Sequence, residues 1–393
     1  MTPSAPPPPV RRWSWRSKAF RNVVYQVVAL ALVIALGAYL VHNTLQNMRV
    51  RGIQSGFDFI TQPAGFSIGE SVVPFDSAES YGKAFLVGLS NTLRVAIVGV
   101  LLATLLGTLS GIGRLSHNFL VRALCSSYVE LFRNVPVLLQ LFIWYFVLTE
   151  LLPPIETALQ PMAGVYFSKN GLQYPIPVWA DGHWMTLAGL ALGFVGAWLW
   201  ARRARQHLFA TGRLLPTVWP GVGIVAAAVL LGWMVGGMPA GLDLPEKTDL
   251  NVVGGGSVTP EYLTVLAGLT IYTASYIAEI VRGGIQAVPF GQHEAAAALG
   301  LSRNMEVRLV QLPQALRVII PPLTSQYLNL TKNSSLAVAV GYPDLVSISN
   351  TSLNQTGRAI ECIALVMACY LTLSLLTAAF MNAYNKRSLI KER

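Results

Sequence analysis

The 393-residue sequence is poor in charge, and this excludes most soluble folds. Only 12% of its residues are Asp, Glu, Lys or Arg, and 53% are apolar, whereas soluble domains carry about 25% charge. The mean hydropathy is +0.52. Several continuous apolar windows of about 20 residues can each cross a bilayer as a helix. The sequence therefore predicts an integral membrane protein with α-helical spans.

Cysteines and phosphate-binding motifs are also sparse. The three cysteines, Cys125, Cys362 and Cys369, lie in or beside apolar segments, and their spacing matches no metal site. This pattern indicates small buried side chains rather than a disulfide framework. The glycine run at 254–256 lacks the Lys and the Ser or Thr of a phosphate-binding loop. We therefore expect no enzyme activity in this chain, and no catalytic residue, metal ligand or bound cofactor.

Apolar windows separated by basic loops make up most of the chain. They predict eight spans, at 23–41, 84–112, 127–152, 184–201, 217–236, 261–282, 315–343 and 360–383. With both termini on one side, the loops on that side hold 19 Lys and Arg residues and the opposite loops hold 6. This bias predicts cytoplasmic termini, and it explains the net charge of +10 without a nucleic-acid partner. The first window shows no obvious cleavage site, so we interpret it as an uncleaved anchor rather than a signal peptide.

The stretch between the sixth and seventh windows is polar. Residues 294–299 are good helix formers, Gly300 can end that helix in a bend, and residues 305–311 predict a second short helix. Two short helices joined at a glycine between membrane spans are suited to docking on a protein in water. The spacing is defined by Glu294, Ala295, Ala296, Gly300, Val310, Leu312 and Pro313.

This spacing resembles the EAA loop of ABC-importer permeases, with Val310 where Ile is usual. The flanking segments 276–286 and 331–336 resemble the polar amino-acid uptake branch, which includes histidine and glutamine permeases. The resemblance covers 84–152 and 261–386. The additional segments, 1–83 and 153–260, resemble those of the long permease subunit of general L-amino-acid importers.

The resemblance implies an all-α polytopic membrane fold of about eight transmembrane helices. Five of them, the second, third, sixth, seventh and eighth predicted spans, would form the core of a type I importer permease. The implied organisation is a cytoplasmic tail (1–22), an anchor helix with a periplasmic loop (23–83), a permease domain (84–386) and a second cytoplasmic tail (387–393). Within the permease domain lie an inserted helical pair (about 184–236) and the cytoplasmic coupling loop (283–313).

The same resemblance implies a function and a set of partners. The chain would be the permease subunit of an ATP-binding-cassette importer in the bacterial inner membrane, with both termini cytoplasmic. It would take polar or general L-amino acids from a periplasmic binding protein, beside a second homologous permease subunit in a heterodimer. Two cytoplasmic ATPase subunits would use ATP and Mg. The residues implied in ATPase coupling are Glu294, Ala295, Ala296, Gly300, Leu312 and Pro313.

Lys332 is the most costly residue within the predicted spans, because a charge in the membrane interior requires a partner or water. It lies in a polar patch with Asn333, Ser334 and Ser335. We interpret the patch as part of the substrate pathway, where the ammonium group would attract a carboxylate. A structural ion pair and a side chain that reaches the membrane surface are the alternatives.

Three other sets of polar residues lie within or beside spans. Asn91 and Thr92 are candidates for the pathway, although helix capping or interhelical bonding fits them equally. The spacing of Glu130 and Arg133, and of Glu279 and Arg282, places each pair on one helix face and predicts structural ion pairs.

Two other classes of protein remain as alternatives. An ion-driven secondary transporter would carry an inverted repeat with matching broken spans, whereas this sequence has one EAA-like loop and one strongly broken span. A non-transporting membrane scaffold would bind an ATPase without substrate-dependent hydrolysis. The sequence does not specify which amino acids are carried, or which permease subunit holds them.

Overall fold

The computed structural model describes residues 15, 17–50, 52, 55–212, 215–248 and 251–388. Most of the two predicted tails, 1–22 and 387–393, lies outside these residues. Within the described ranges, six helices are long and apolar enough to cross a membrane, or seven if one bent pair is a single span. The prediction of a polytopic α-helical membrane protein is confirmed.

Twelve α-helices are described, and their ends follow the usual local rules. At the start of the seventh, Thr259 accepts a hydrogen bond from the Tyr262 amide, and Pro260 occupies the first turn, where its missing N–H costs nothing. The helices are α1 (Lys18–Val50), α2 (Tyr81–Gly113), α3 (Phe119–Asn134), α4 (Val137–Phe146), α5 (Gly182–Thr211), α6 (Val218–Val235), α7 (Pro260–Gln286), α8 (Phe290–Ala298), α9 (Arg303–Glu306), α10 (Leu312–Asn333), α11 (Leu345–Thr356) and α12 (Ala359–Ser388).

The third predicted span is not one straight helix. It is divided between α3 and α4, which meet at an angle of 107°. Pro136 explains the break, because it lacks an N–H and forces the preceding Val135 into an extended conformation, with φ −102° and ψ 129°. The pair is either one bent span or a re-entrant element, so the single helix predicted at 127–152 is corrected.

The seventh predicted span also differs in shape. α10 ends at Asn333, a 3-10 helix follows at Ser334–Val340, and Gly341 then adopts a left-handed φ of +80°. α10 contains Pro321 and Pro322, and it is not among the six helices that are long and apolar enough to cross a membrane. With α10 and the bent pair counted, the described helices are roughly consistent with the eight predicted spans.

The chain forms two compact units. One comprises the described residues of 1–91 and 343–376, and the other those of 92–342 and 377–393. The core of the first contains Phe59, Leu345 and Cys362. The core of the second is built on the buried face of α7, where Leu269 and Ile277 are fully buried, together with side chains from α2, α4 and α10.

The two segments that flank the inserted helical pair, 153–181 and 236–259, contain short β-strands that the sequence analysis did not predict. Four antiparallel strands form a sheet in the order β1-β2-β3-β8, and β4-β5 and β6-β7 form two separate two-stranded sheets. The strands are β1 (Leu159–Met162), β2 (Val165–Ser168), β3 (Gly171–Tyr174), β4 (Ile176–Pro177), β5 (Leu242–Asp243), β6 (Glu246–Lys247), β7 (Val252–Val253) and β8 (Gly256–Val258).

The inserted helices α5 and α6 pack closely on each other through small residues. A Cβ atom on Gly189 would lie 2.3 Å from the carbonyl oxygen of Ala228, and one on Gly232 would lie 2.4 Å from that of Met185. Such contact between backbones is the usual means by which helices associate in lipid. The inserted pair is therefore a helical hairpin, and strands β4 and β5 pair at its open end.

Candidate functional site

The loop between α7 and α10 folds as the sequence predicted, as two short helices with a bend. Gly300 has a φ of +71°, a left-handed conformation that disfavours other residues. The Gly300 amide donates to the Ala297 carbonyl, and the Leu301 amide donates to the Ala296 carbonyl. This pair of hydrogen bonds forms a Schellman motif, which ends α8 before the chain turns into α9.

The two alanines of the loop occupy different environments. Ala295 and Glu294 are exposed, whereas Ala296 is only 2% exposed. The Ala296 side chain is therefore covered by neighbouring residues of this subunit. The surface that this part of the loop offers to another protein contains Glu294 and Ala295.

An ion-pair cluster that the sequence analysis missed holds the two helices of the loop together. Glu306 on α9 contacts His293 on α8, and Arg303 donates to the same carboxylate oxygen at 2.7 Å. The His293 side chain, followed by Arg303, lowers the pKa of Glu306. His293 and Glu306 are 13 positions apart, so no local helical spacing links them. Only the turn at Gly300 brings them together.

The second half of the loop continues directly into a predicted span. α9 is followed by a π-helical segment, Val307–Gln311, and then by α10. Leu312 is exposed, and Pro313 lies in the first turn of α10. A π-helical segment commonly marks a functional position. The backbone is helical from Arg303 to Asn333 and connects the loop to the polar patch at the far end of α10.

The polar patch at that far end is divided between surface and interior. Lys332 is exposed, Asn333 is half-buried and Ser334 is buried. The Ser334 hydroxyl donates to the Thr331 carbonyl at 2.7 Å, and the Ser335 hydroxyl donates to the Lys332 carbonyl at 2.7 Å. Both hydroxyls are thus engaged by backbone, and the ammonium group of Lys332 is the member of the patch that the structure exposes.

A structural ion pair of Lys332 would need a carboxylate, and those of Glu279 and Asp344 have other contacts. Glu279 is bound by arginines, and Asp344 accepts a hydrogen bond from the Ser347 amide at 2.8 Å, capping α11. Within the described residues, Lys332 takes part in none of the ion pairs. The alternative of a buried structural ion pair is therefore not supported by this geometry.

Asn91 and Thr92 are both fully buried, which corrects the expectation that they line an open pathway. The Asn91 amide group donates to the carbonyls of Glu70 and Pro343, at 2.8 and 2.9 Å, and its oxygen accepts from the Val72 amide. These bonds satisfy backbone groups of the segments around it, because a buried amide without partners would be costly. Asn91 therefore has the structural role that the sequence left as an alternative.

Glu279 lies at the centre of a group of three arginines. Arg282 contacts it at 2.5 Å, as the helical spacing predicted, and Arg114 from the end of α2 also binds it. Arg133 lies 3.7 Å from Glu279, with its guanidinium 5.1 Å from the ring centre of Tyr276. α7 is thereby linked to α2 and α3 at one end of the helical bundle.

The predicted ion pair between Glu130 and Arg133 is wrong, because Arg133 pairs with Glu279 instead. Glu130 is exposed, and its backbone carbonyl accepts a bond from the Asn134 side chain at 2.7 Å. Arg133 turns instead to α7, where Glu279 is partly shielded from solvent and the ring of Tyr276 adds a cation–π contact. Arg114 also binds Glu279, although the two residues are 165 positions apart in the sequence.

In the described part of the chain, no group of three or more His, Cys, Asp or Glu side chains is arranged to hold an ion. The chemistry available here is that of charged contacts: an exposed glutamate on α8, an arginine cluster on Glu279 and a lysine at the end of α10.

These features define a multi-pass membrane transport component, and comparison with known proteins agrees. Residues 200–391 match the family described as "binding-protein-dependent transport system inner membrane component". The general L-amino acid transport system permease protein AapQ of Rhizobium johnstonii is 45% identical over 386 residues, which cover 97% of this chain and 96% of that protein. The putative amino-acid ABC transporter permease YhdX of Escherichia coli is 43% identical over 385 residues, covering 97% of each.

A third relative has a more specific name. The glutamate/glutamine/aspartate/asparagine transport system permease protein BztB of Rhodobacter capsulatus is 40% identical over 406 residues, covering 95% of each chain. One solved structure, of an amino acid ABC transporter with histidines, covers 78% of this chain and 95% of its own, with 20% identity and a TM-score of 0.46.

The chain belongs to the family of amino-acid ABC-importer permeases. Its membership confirms the class predicted from the EAA-like spacing and places the protein in the inner membrane as a multi-pass subunit. The two alternatives, an ion-driven secondary transporter and a non-transporting scaffold, are set aside because the relatives that align over almost the whole chain are permeases.

Proposed function

We propose that this permease imports polar L-amino acids, including acidic ones, delivered by a periplasmic binding protein. The names of the relatives support this choice: one is a general L-amino acid permease, and another serves glutamate, glutamine, aspartate and asparagine. The exposed ammonium group of Lys332 supports it chemically, because every amino acid carries an α-carboxylate and the acidic ones carry a second.

Energy for import comes from two cytoplasmic ATPase subunits, which bind ATP and Mg. The surface that docks on them is α8 with the turn at Gly300, where Glu294 offers an exposed negative charge beside the small Ala295. Leu312 and Pro313 lie where the loop enters α10. A second, homologous permease subunit completes the membrane part as a heterodimer, with both sets of termini in the cytoplasm.

The observation that carries this proposal is the continuity between loop and span. His293, Arg303 and Glu306 fasten α8 to α9, and helical backbone runs from α9 through α10 to Lys332. A movement of the ATPase surface therefore displaces α10 as a rigid body. In this mechanism, the accessibility of the polar patch to the substrate changes when the nucleotide state of the ATPase changes.

The decisive experiment reverses the charge on the docking surface. The complete importer with Glu294→Lys is expected to insert normally, to lose ATPase subunits during purification and to lose uptake of labelled glutamate. Charge reversal at Glu294 replaces an attractive contact with a repulsive one, because like charges at an interface cost several kcal/mol.

The matched control is Glu246→Lys, the same reversal at an exposed carboxylate of strand β6, outside the loop. This control should keep both its ATPase subunits and its uptake. Normal uptake by Glu294→Lys would contradict the docking role, and equal loss in both variants would assign the effect to total charge instead.

A further inference from the structure

A cavity of about 680 Å³ separates the inserted helical hairpin from the second half of the coupling loop. Its walls come from the end of α5, the segment that leads into α6, the first residues of α6, and the helical run through α9. The walls are mainly apolar, with three polar side chains of interest. The lining residues used below are Arg205, Leu208, Trp219, Asn304, Arg308 and Leu309.

The cavity presents two positive charges that no carboxylate among the described residues balances. Arg205 comes from α5 and Arg308 from the π-helical segment, and Asn304 adds an amide beside them. Among the described residues, neither arginine forms an ion pair with a carboxylate. Two guanidinium groups on one cavity suit an anion, and a phosphate group accepts several of their N–H bonds at once.

The surroundings point to an anion that carries an apolar tail. Only 11% of the apolar window of α5 and 6% of that of α6 are buried within this subunit, so the apolar sides of both helices are available to lipid. The arginine-rich end of α5 adjoins the cavity, and the charge bias assigns this end to the cytoplasmic surface. Trp219 is 81% exposed at the same level, as expected of an aromatic side chain at the membrane surface.

We propose that this cavity binds the headgroup of an anionic phospholipid from the inner leaflet. The phosphate contacts Arg205 and Arg308, and the acyl chains lie along α5 and α6. Basic pockets between spans on the cytoplasmic side hold lipid headgroups by the same physics. The bound lipid would join the inserted hairpin to the coupling loop, which gives the hairpin a role that the family's five-helix core does not require.

The test measures lipid retention directly and does not depend on transport. The assembled importer is reconstituted with equal parts of phosphatidylglycerol and phosphatidylcholine, purified, and weighed by native mass spectrometry. We expect the wild type to retain phosphatidylglycerol selectively. Arg205→Gln and Arg308→Gln should each lower this retention about fivefold, the factor expected for one basic residue near an anionic membrane surface. Arg205→Lys, which keeps the charge, should retain most of it.

The control is Arg122→Gln, an equal charge loss at an exposed arginine of α3 that lies outside the cavity. It should retain phosphatidylglycerol as the wild type does. Equal retention of the two lipids by the wild type, or unchanged retention in both cavity variants, would overturn the proposal. Displacement of the lipid by sodium phosphate would also overturn it and would identify a free-anion site.

A third result concerns the coupling loop itself. If Arg308→Gln loses ATPase subunits while keeping its phosphatidylglycerol, Arg308 contacts the ATPase and the lipid proposal fails for that residue. Arg205 lies on α5, outside the loop, so Arg205→Gln still decides the question if Arg308→Gln does not assemble.

Discussion

At the scale of one residue, Lys332 places an exposed positive charge at the end of α10, within a predicted span. Insertion of a lysine at the centre of a span costs about 2.5–3.5 kcal/mol. The neighbouring hydroxyls of Ser334 and Ser335 do not offset this cost, because they donate to backbone carbonyls. The ammonium group therefore requires water, a partner subunit or a substrate carboxylate, since lipid offers no hydrogen bonds.

The corresponding prediction is made for Lys332→Met, which removes the charge and keeps a long side chain. We expect an inserted subunit in an assembly that still hydrolyses ATP but takes up amino acids poorly. The loss should be larger for glutamate than for glutamine if the ammonium meets a side-chain carboxylate, and equal for both if it meets the α-carboxylate. Uptake of the two labelled amino acids in proteoliposomes distinguishes these cases.

Unchanged uptake by Lys332→Met would show that the ammonium group does not contact the substrate. A failure of the subunit to accumulate in the membrane would instead assign Lys332 a structural role. Lys332→Arg serves as the conservative variant and should restore part of the uptake, because it keeps the charge at the same position.

Glu306 yields a prediction about pH at the same scale. Because its pKa is lowered by His293 and Arg303 from an ordinary value of 4.5, its ionised form is favoured in the folded loop. A carboxyl of this kind stabilises the fold above its ordinary pKa, and the contribution disappears as the pH falls through the lowered value. Glu306→Gln should therefore loosen the loop at pH 7 and have little effect in strong acid.

Amide exchange of the α8 backbone tests this, with each variant compared with the wild type at the same pH. The ratio of exchange rates should exceed one at pH 7 and approach one as the pH falls below 4.5. Glu294→Gln, at an exposed carboxylate of the same loop, should leave the ratio near one throughout. A ratio for Glu306→Gln that does not vary with pH would contradict the role of its ionised form.

At the scale of the element, the coupling loop depends on one residue in a left-handed backbone conformation, Gly300. A Cβ atom added at Gly300 would meet no atom within 4 Å, so only the backbone conformation, with φ +71°, resists substitution. A left-handed conformation costs other residues about 1–2 kcal/mol, and Asn tolerates it better than Ala. We expect Gly300→Ala to weaken retention of the ATPase subunits, and Gly300→Asn to weaken it less.

Gly291 provides the matched control for this prediction. It lies in the same loop, on α8, and an added Cβ there also meets nothing within 4 Å, but its φ is not positive. Gly291→Ala should therefore retain the ATPase as the wild type does. Equal effects of Gly291→Ala and Gly300→Ala would show that side-chain bulk, and not backbone conformation, limits docking.

The helical elements were predictable from the sequence because lipid imposes a simple pattern. The windows at 84–112, 261–282 and 360–383 correspond to α2, α7 and α12, and Gly300 ends α8 as its sequence context indicates. The break at Pro136 follows from the missing N–H of proline, but the sequence analysis predicted a single span across it. The residue types alone do not distinguish a kink from a turn of 107°.

The remaining features arise from contacts between segments that are distant in the sequence. Strands β3 and β8 pair Leu172 with Val258, and strands of two to four residues leave too little alternation to be recognised. The arginine cluster on Glu279 joins three helices, so the spacing of Glu279 and Arg282 revealed only one of its pairs. Asn91 looked like a pathway residue because its backbone partners, such as the carbonyl of Pro343, could not be foreseen.

At the scale of the whole molecule, the inserted hairpin preserves the orientation of everything that follows. The helices α5 and α6 are each long and apolar enough to be a span, and two additional spans would return the chain to the side from which it left. The four-stranded sheet joins both segments beside the hairpin, so these segments must lie on the same side of the membrane. The opposite end of the hairpin carries the arginines of α5 and adjoins the coupling loop.

This arrangement leads to a prediction about topology that two reporter fusions can check. A reporter joined after Arg205, near the end of α5, should be cytoplasmic, and one joined after Gly255, before β8, should be periplasmic. The physical reason is the bias of 19 Lys and Arg residues in the predicted inner loops against 6 in the outer ones. Alkaline phosphatase is active only outside the cytoplasm, and green fluorescent protein exported unfolded is dark, so the two reporters should give opposite signals at each site. If both sites report the same side, α6 does not cross the membrane and the predicted pair of inserted spans is wrong.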